Sequence, residues 1–332
     1  MRLKGFKTLA LAGVALLGMG LCLPMSAGAA DAQKISLASF KAGSGWYVMA
    51  QTMAKMIKGT LPAGSQVDVL PYSGGVGNPM LLAKGKADVA LGFPVETGLA
   101  IKGEAPYKKA SPELKVLVAN LDTYWYVFAL RADTPIKSLA ELKAKKYPLR
   151  LAVMPKGSSG EWDTRKVLGA YGITFDDIIS WGGKVNYVSF PTAVEMMKDG
   201  QADAFGQVCT PGHPSWMQLA TMTKLRFMPI DKAVAEKFSK DYGFRPSVLP
   251  KGTFPGVDKD IPVLGFATLL IATSKMSDET AYNITKAICT GKQDLEMAYK
   301  GAKAFDPKKA AEVPLPLHPG AAKYYREAGV LK

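Results

Sequence analysis

The sequence predicts an α/β protein of two lobes joined by strands that pass between them. Three observations predict it. Strand-like and helix-like segments alternate through most of the chain, which argues for α/β layers with largely parallel strands. The 332 residues suffice for two domains at ~150 residues each. Two long apolar runs, Val116 to Leu130 and Ile261 to Thr273, read as buried strands that leave one lobe and return from the other.

The first half supplies a strand at Ile35 to Phe40 and a helix at Trp46 to Ile57, where Met49, Met53 and Met56 recur near helical spacing. A strand at Gln66 to Leu70 follows. A short helix at Pro79 to Lys84 is closed by Gly85, as glycine closes many helix ends. The next strand is Ala87 to Gly92. The second unit holds a helix over Thr134 to Lys143, a strand over Leu149 to Val153 and a loop at Gly157 to Gly160. A helix over Trp162 to Tyr171 and a strand over Val185 to Phe190 come next. A helix over Pro191 to Lys198 and a strand over Ala202 to Gly206 complete it. "LLAKGKADVALG" (Leu81 to Gly92) parallels "MMKDGQADAFG" (Met196 to Gly206), each a helix end, a Gly turn and an Ala-Asp strand start. Helices over Asp278 to Ala298 and Pro319 to Ala328 end the chain.

The N-terminus reads as an export signal: basic Arg2, Lys4 and Lys7, an apolar stretch from Leu9 to Leu23, then small residues to Ala30. Cleavage is expected after Ala29 or Ala30. The apolar stretch is shorter than the ~20 residues a membrane span needs. Leu21 precedes Cys22 where a lipidation site wants a small residue. The formal charge is +14; the three basic residues of the signal leave +11 after cleavage. Such a charge steers anions. The lysines are scattered, and no basic helix or aromatic motif of a nucleic-acid binder accompanies them. After cleavage Cys209 and Cys289 remain, either as one disulfide or as two buried thiols.

The usual catalytic signatures are missing. His213 and His318 are the two histidines, far apart and each beside proline. No His/Cys cluster has zinc spacing. Neither a phosphate loop nor a complete dinucleotide fingerprint appears. "GSSG" at 157–160 is not a nucleophile elbow. The expectation is a non-enzyme without metal or cofactor.

Binding is better represented. Three polar, Gly-rich loops each lie between a strand and a helix: "KAGSGWY" (41–47), "YSGGVGNP" (72–79) and "KGSSGEW" (156–162). Helix N-termini present free N–H groups and partial positive charge. Glycine lets the backbone approach a ligand, and serine adds a hydroxyl. Each loop alone is better explained as an ordinary helix cap. Three of them, divided between the lobes, point to a shared cleft for a carboxylate. Trp46, Tyr47, Phe93, Tyr124 and Trp125 stand near enough in sequence to wall it.

These loops also carry a resemblance. "SGWYVMAQTMAKMI" (44–57), "YSGGVGNPMLLAKGKADVALG" (72–92), "SLAELKAKKYPLRLAV" (138–153), "KGSSGEWDTRKVLGAYGI" (156–173), "DGQADAFG" (199–206) and "PLHPGAAKYYREAGV" (316–330) resemble the TAXI-type solute receptors of TRAP transporters, with the tail as the most specific piece. The resemblance implies a type II periplasmic-binding-protein-like fold, two lobes joined by hinge strands. The expected division is a signal peptide at 1–30, one lobe from 31–122 with 267–332, and a second from 123–266. It implies a periplasmic receptor for a small carboxylate or amino acid, with glutamate and glutamine among the relatives' solutes. The implied partner is a membrane permease driven by an ion gradient.

Carried over residue by residue, the binding set is Ser44, Trp46, Tyr47, Ser73, Gly74, Asn78, Ser158, Ser159 and Gly160. Phe93, Trp125 and Glu161 join them as candidate walls and as departures. The family often has Gly-x-Tyr-Tyr where this chain has Ser44-Gly45-Trp46-Tyr47. It often has Ser-Gly-Thr at Ser159-Gly160-Glu161, and a polar residue at Phe93-Pro94. Glu161 has two readings: a helix cap, or a carboxylate aimed into the cleft. Three other classes compete: a receptor of an ATP-driven importer for a sulfonate or aromatic acid, a secreted hydrolase, and a surface adhesion protein.

Overall fold

The computed structural model describes residues 31–42 and 44–332. The export signal, its cleavage site and Cys22 lie outside the described residues. Strand β1 (Lys34–Ser39), helix α1 (Gly45–Lys58), β2 (Gln66–Pro71), α2 (Gly77–Ala83), β3 (Val89–Gly92), α3 (Pro94–Lys102) and β4 (Leu114–Val118) come first. The chain then crosses into β5 (Tyr124–Arg131), α4 (Leu139–Ala144), β6 (Arg150–Val153), α5 (Ser159–Ala170), α6 (Phe175–Ser180) and β7 (Lys184–Tyr187). Next are α7 (Phe190–Lys198), β8 (Ala204–Cys209), α8 (Pro214–Met222), β9 (Leu225–Phe227), α9 (Lys232–Tyr242), β10 (Arg245–Leu249) and β11 (Ile261–Phe266). The return gives β12 (Leu269–Thr273), α10 (Asp278–Thr290), α11 (Lys292–Ala298), two 3₁₀ turns and α12 (Pro319–Glu327).

Two sheets result. One has the order β2-β1-β3-β12-β4; the other runs β10-β11-β5-β8-β6-β7, with β9 paired to β5. The βαβ units β1–β2, β1–β3, β6–β7 and β6–β8 are parallel. The sheets are nevertheless mixed, and the expectation of largely parallel strands is corrected. β5, β11 and β12 run antiparallel to their neighbours. A strand that enters from the other sheet needs no helical crossover, so nothing forces it parallel.

Each apolar run is two strands, not one. The first breaks at Ala119–Thr123, where Asn120 has φ 57°, a left-handed conformation that asparagine tolerates. The second breaks at Ala267–Thr268. These two breaks are tied together. Asp122 Oδ1 accepts from Thr268 N (2.8 Å), and Asp122 Oδ2 accepts from Thr268 Oγ1 (2.8 Å). Leu121 N donates to Thr268 O at 3.1 Å. Thr268 Oγ1 in turn accepts from Trp46 Nε1 at 2.8 Å, which fixes the start of α1 to the same knot.

Other sequence boundaries shift for local reasons. Ser138 caps α4 by accepting from Glu141 N, so that helix starts after Pro135, not at Thr134. Ser158 caps α5, so helix begins inside the third loop. Ser189 caps α7, which ends the expected strand at Tyr187. The expected helix over 278–298 breaks at Gly291, where an added Cβ would lie 2.0 Å from Met56 Cε. Cys209 and Cys289 are free, buried thiols on different elements.

The C-terminal motif is structural. Val116 N donates to Pro316 O and His318 N to Val116 O, both at 2.9 Å, so the tail lies along edge strand β4. His318 caps α12 by accepting from Gly320 N, and buried Tyr325 donates to Leu117 O at 2.8 Å. An added Cβ on Gly320 would lie 2.0 Å from Asp278 O. These contacts cover an edge that would otherwise invite pairing.

Burial raises the Asp122 carboxyl from 3.8 to about 7, the Thr268 hydrogen bonds offsetting part of the rise. A carboxyl that holds its proton more tightly when folded favours the folded chain most at low pH. That contribution is lost as pH rises from about 4 through about 7. Half-buried His213, lowered to about 4 by desolvation, acts in the opposite sense below its ordinary 6.5. Comparison with Asp122→Asn isolates the carboxyl. From pH 5 to 7.5 the melting temperature of the variant is expected to gain on wild type by at least about 2 °C. Parallel curves would show that Asp122 does not titrate in this window.

Candidate functional site

The three loops converge. A narrow cavity of about 50 Å³ lies between the sheets and is lined by Ser44, Gly45 and Trp46 from the first loop and Ser73, Gly74 and Gly75 from the second. Ser158, Ser159 and Gly160 come from the third, with Phe40, Phe93, Tyr124, Phe190, Gln207, Val208 and His213 completing the wall. No lining residue is Lys, Arg, Asp or Glu. A wider recess of about 510 Å³ shares Phe40, Ser44, Gly45, Phe190 and His213 with the cavity and carries Lys41 and Lys300.

Helix starts supply the polar side. Ser44 Oγ accepts from Tyr47 N at 3.2 Å. Ser158 Oγ accepts from Glu161 N at 3.4 Å and donates to Pro155 O at 2.7 Å. Both serines are therefore caps as well as wall. The N–H groups in the first turns of α1 and α5 have no carbonyl within the helix and border the cavity. Ser159 Oγ is buried and faces the Glu96 carboxyl.

Aromatic rings supply the other side. Phe93 sits 4.6 Å from Trp46, 5.0 Å from Tyr124 and 4.6 Å from Phe266, centroid to centroid. The hinge strands bring them together: Leu269 pairs with Gly92, and Phe266 with Tyr124. Offset and edge-on packing of this kind adds about 0.5–1.5 kcal/mol per pair beyond burial.

Glycines set the distances. Gly74 has φ 82°, a region costly for side-chain-bearing residues. A Cβ on Gly75 would lie 1.9 Å from Ser159 Oγ, 2.8 Å from Glu96 Oε1 and 3.1 Å from Phe93 Cδ2. One on Gly160 would lie 1.7 Å from Gln207 Oε1. Gly75 therefore touches Ser159 across the cleft, and the two halves of the site are closed on each other.

Four expected residues are not brought into the cavity. Trp125 follows Tyr124 on β5, where alternate residues face opposite sides. Its Nε1 donates to Ser247 Oγ and its ring packs in a separate core with Val127 and Ala129. Tyr47 is one step round α1 from Trp46 and lines neither the cavity nor the recess. Asn78 is buried behind the second loop, donating to Leu91 O at 2.8 Å and Ala38 O at 3.4 Å; it anchors α2 to β3 and β1. Glu161 accepts from Arg165 Nε at 3.0 Å and from Arg165 Nη2, an i,i+4 pair along α5. Glu161 stands in the first turn of α5, where a negative charge suits the helix dipole, but its carboxylate is tied to Arg165 and the loop is capped by Ser158.

Gly75, Phe190, Gln207, Val208, Phe40 and His213 escape the sequence reading. Gly75 is inside a recognised loop. The others come from strand ends, the start of α7 and a Pro-flanked turn with no pattern of their own. Half-buried His213 has its pKa lowered to about 4 by desolvation, its Nδ1 unpartnered and its ring 4.7 Å from Phe190.

This arrangement, two α/β sheets joined by crossing strands around a closed cleft, is a two-lobed, periplasmic-binding-protein-like fold. Residues 37–329 match the NMT1-like family, and the chain belongs to it. Among solved structures it is similar to MatC from Rhodopseudomonas palustris with bound malate: TM-score 0.52, 13% identity, 90% of this chain and 99% of that one. It is similar to a protein from Bordetella bronchiseptica at TM-score 0.51 and 17% identity, covering 90% and 89%. A looser likeness, TM-score 0.45 and 13% identity over 89% and 79%, is to the periplasmic aliphatic sulphonate binding protein SsuA from Escherichia coli.

Two substitutions test the geometry. Gly75→Ala is expected to weaken the best solute by tenfold or more while the ligand-free melting temperature stays within about 2 °C, because the added methyl meets Ser159 across the cleft. Ser159→Gly in the same chain should recover part of the loss. Unchanged affinity would mean that the lobes need not meet at Gly75. Glu161→Thr should leave affinity within about twofold and cost about 0.3–1 kcal/mol of stability; a tenfold loss of affinity would return Glu161 to the site.

Proposed function

We propose that this protein is an exported, periplasmic receptor that binds a small carboxylated solute between its lobes and delivers it to the permease of a TAXI-type TRAP transporter. The observation that carries the solute class is the cavity's polar wall: serines and first-turn N–H groups from two helices, with no acidic side chain in the lining. Neutral donors at helix starts suit a carboxylate. Lys41 and Lys300 on the outer recess add long-range attraction for an anion. The TRAP assignment rests on the sequence motifs. Family membership and fold support the wider class of solute-binding protein. Among the described residues no helix is long and apolar enough to cross a membrane.

A second reading, the receptor of an ATP-driven importer for a sulfonate or aromatic acid, is favoured by the rings of Trp46, Phe93 and Tyr124 in the wall. A hydrolase is disfavoured by geometry. His213 is lowered to about 4 by burial, a weak base at neutral pH, and its Nδ1 has no partner.

Ligand-stripped protein should gain several degrees of melting temperature with one or a few members of a panel of amino acids, dicarboxylates, keto acids, aromatic acids and sulfonates. A ligand binding only the folded form contributes about 2.7 kcal/mol at a hundredfold excess over Kd. A response confined to sulfonates or aromatic acids would replace the first reading with the second. No response from any member would count against both.

A further inference from the structure

The inner cavity is too small for a whole solute. Its volume is about 50 Å³, and one water needs about 10–15 Å³ of such space. Room for about three or four water-sized groups fits a carboxylate and little more. The recess beyond it measures about 510 Å³. The two spaces meet at a throat, where Phe40, Ser44, Gly45, Phe190 and His213 line both. Three of those five residues are rings. Phe40 stands just after β1 in one lobe, and Phe190 opens α7 in the other. The His213 ring lies 4.7 Å from that of Phe190, with 32° between their planes. Phe40 is set against the second loop, its Cδ2 3.0 Å from where a Cβ on Gly74 would stand. Both phenylalanines are half-buried, so each leaves part of a ring uncovered at the throat.

Beyond the throat the lining stays largely apolar. Val48, Met154, Pro155, Pro191 and Ala298 bring no hydroxyl, amide or charge to it. Val48 is 41% exposed although it stands on α1, four residues after the Ser44 cap. Among the described residues no Asp or Glu lines the cavity or the recess. The charged residues there are Lys41 and Lys300, both exposed. An ammonium entering this space would give up water and gain no acidic partner, which is costly. An apolar group would cover surface that offers water nothing, which is favourable.

We propose that the solute is a monocarboxylate with an extended apolar body, its carboxylate in the inner cavity and its body passing between Phe40 and Phe190 into the recess beside Val48. The inference rests on reading the cleft as a carboxylate site, and it departs from the polar amino acids that the sequence resemblance implies. The carboxylate takes the first-turn N–H groups of α1 and α5. The body takes the throat rings, which come from both lobes, so the same apolar contact helps draw the lobes together. Lys41 and Lys300 stay in solvent and attract the anion as it arrives.

The test is calorimetry on ligand-stripped protein with three series: straight-chain acids from butanoate to octanoate, the 2-amino acids of equal chain length, and the α,ω-dicarboxylates of equal length. Affinity is expected to rise about two- to fourfold per added methylene along the first series. Hexanoate and octanoate should each bind at least tenfold tighter than their amino and dicarboxylate counterparts. Val48→Asp puts a charge on the recess and none on the cavity; it should weaken octanoate by tenfold or more and leave butanoate within about twofold. Affinity that ignores chain length overturns the apolar body and leaves the carboxylate reading standing. So does tighter binding of the amino acid, or of the dicarboxylate, whose far end would then be meeting Lys41 and Lys300. Octanoate binding that Val48→Asp leaves unchanged removes the body from the recess. If no member of any series binds wild type, the carboxylate reading falls and the apolar body with it. The wild-type comparison stands even if the variant fails to fold.

Discussion

Thr268 holds the molecule's two crossings in one place. It gives its N–H and hydroxyl to Asp122, takes the Trp46 indole N–H and accepts Leu121 N–H on its carbonyl. Everything at the site follows from that knot. It sets where β5 and β12 begin, and those starts carry Tyr124 and the partner of Gly92. It also holds Trp46, hence α1, against the Phe93 ring. The group is fully enclosed, and removing one partner from a buried hydrogen-bonded set costs about 1–3 kcal/mol for each group left unsatisfied. A carboxyl at this point also links the crossings to pH, because burial raises it.

The cleft separates two kinds of chemistry. Its lining is neutral: hydroxyls, first-turn N–H groups and aromatic rings. The acidic groups stand one layer back, Glu96 facing Ser159 and Glu161 tied to Arg165 along α5. Basic groups stand outside, on the recess. The closeness of Gly75 to Ser159 makes the same contact serve closure and recognition.

The three loops were legible because glycine, serine and a following helix pattern have strong local causes. Ser44, Trp46, Ser73, Gly74, Ser158, Ser159 and Gly160 from these loops line one cavity, with Phe93 in its wall. The alternation of β5 was equally readable, yet both Tyr124 and Trp125 were counted as near the cleft, although a strand presents only one of such a pair to each side. Asn78 and Glu161 were misplaced because a polar residue in a Gly-rich loop serves anchoring or capping as readily as binding. Helices α3, α8 and α9 went unread. α3 and α8 start at proline, and α9 buries only Ala235 and Phe238. Glu96 went unread with α3; a charge inside apolar "FPVETGLA" (93–100) was the available signal. The tail motif, the most family-specific stretch, covers β4 and touches no part of the cavity.

The central claim is that the cleft between the lobes holds the solute and closes on it. Spin labels at Lys84→Cys, after α2, and Lys184→Cys, on β7, report it directly, since both positions are exposed and Cys209 and Cys289 are buried. Pulsed electron resonance should give a broad, longer distance for ligand-stripped protein. The panel solute with the largest thermal shift should collapse it to a narrow, shorter one. A distribution that saturating solute leaves unchanged and broad would contradict closure around the ligand.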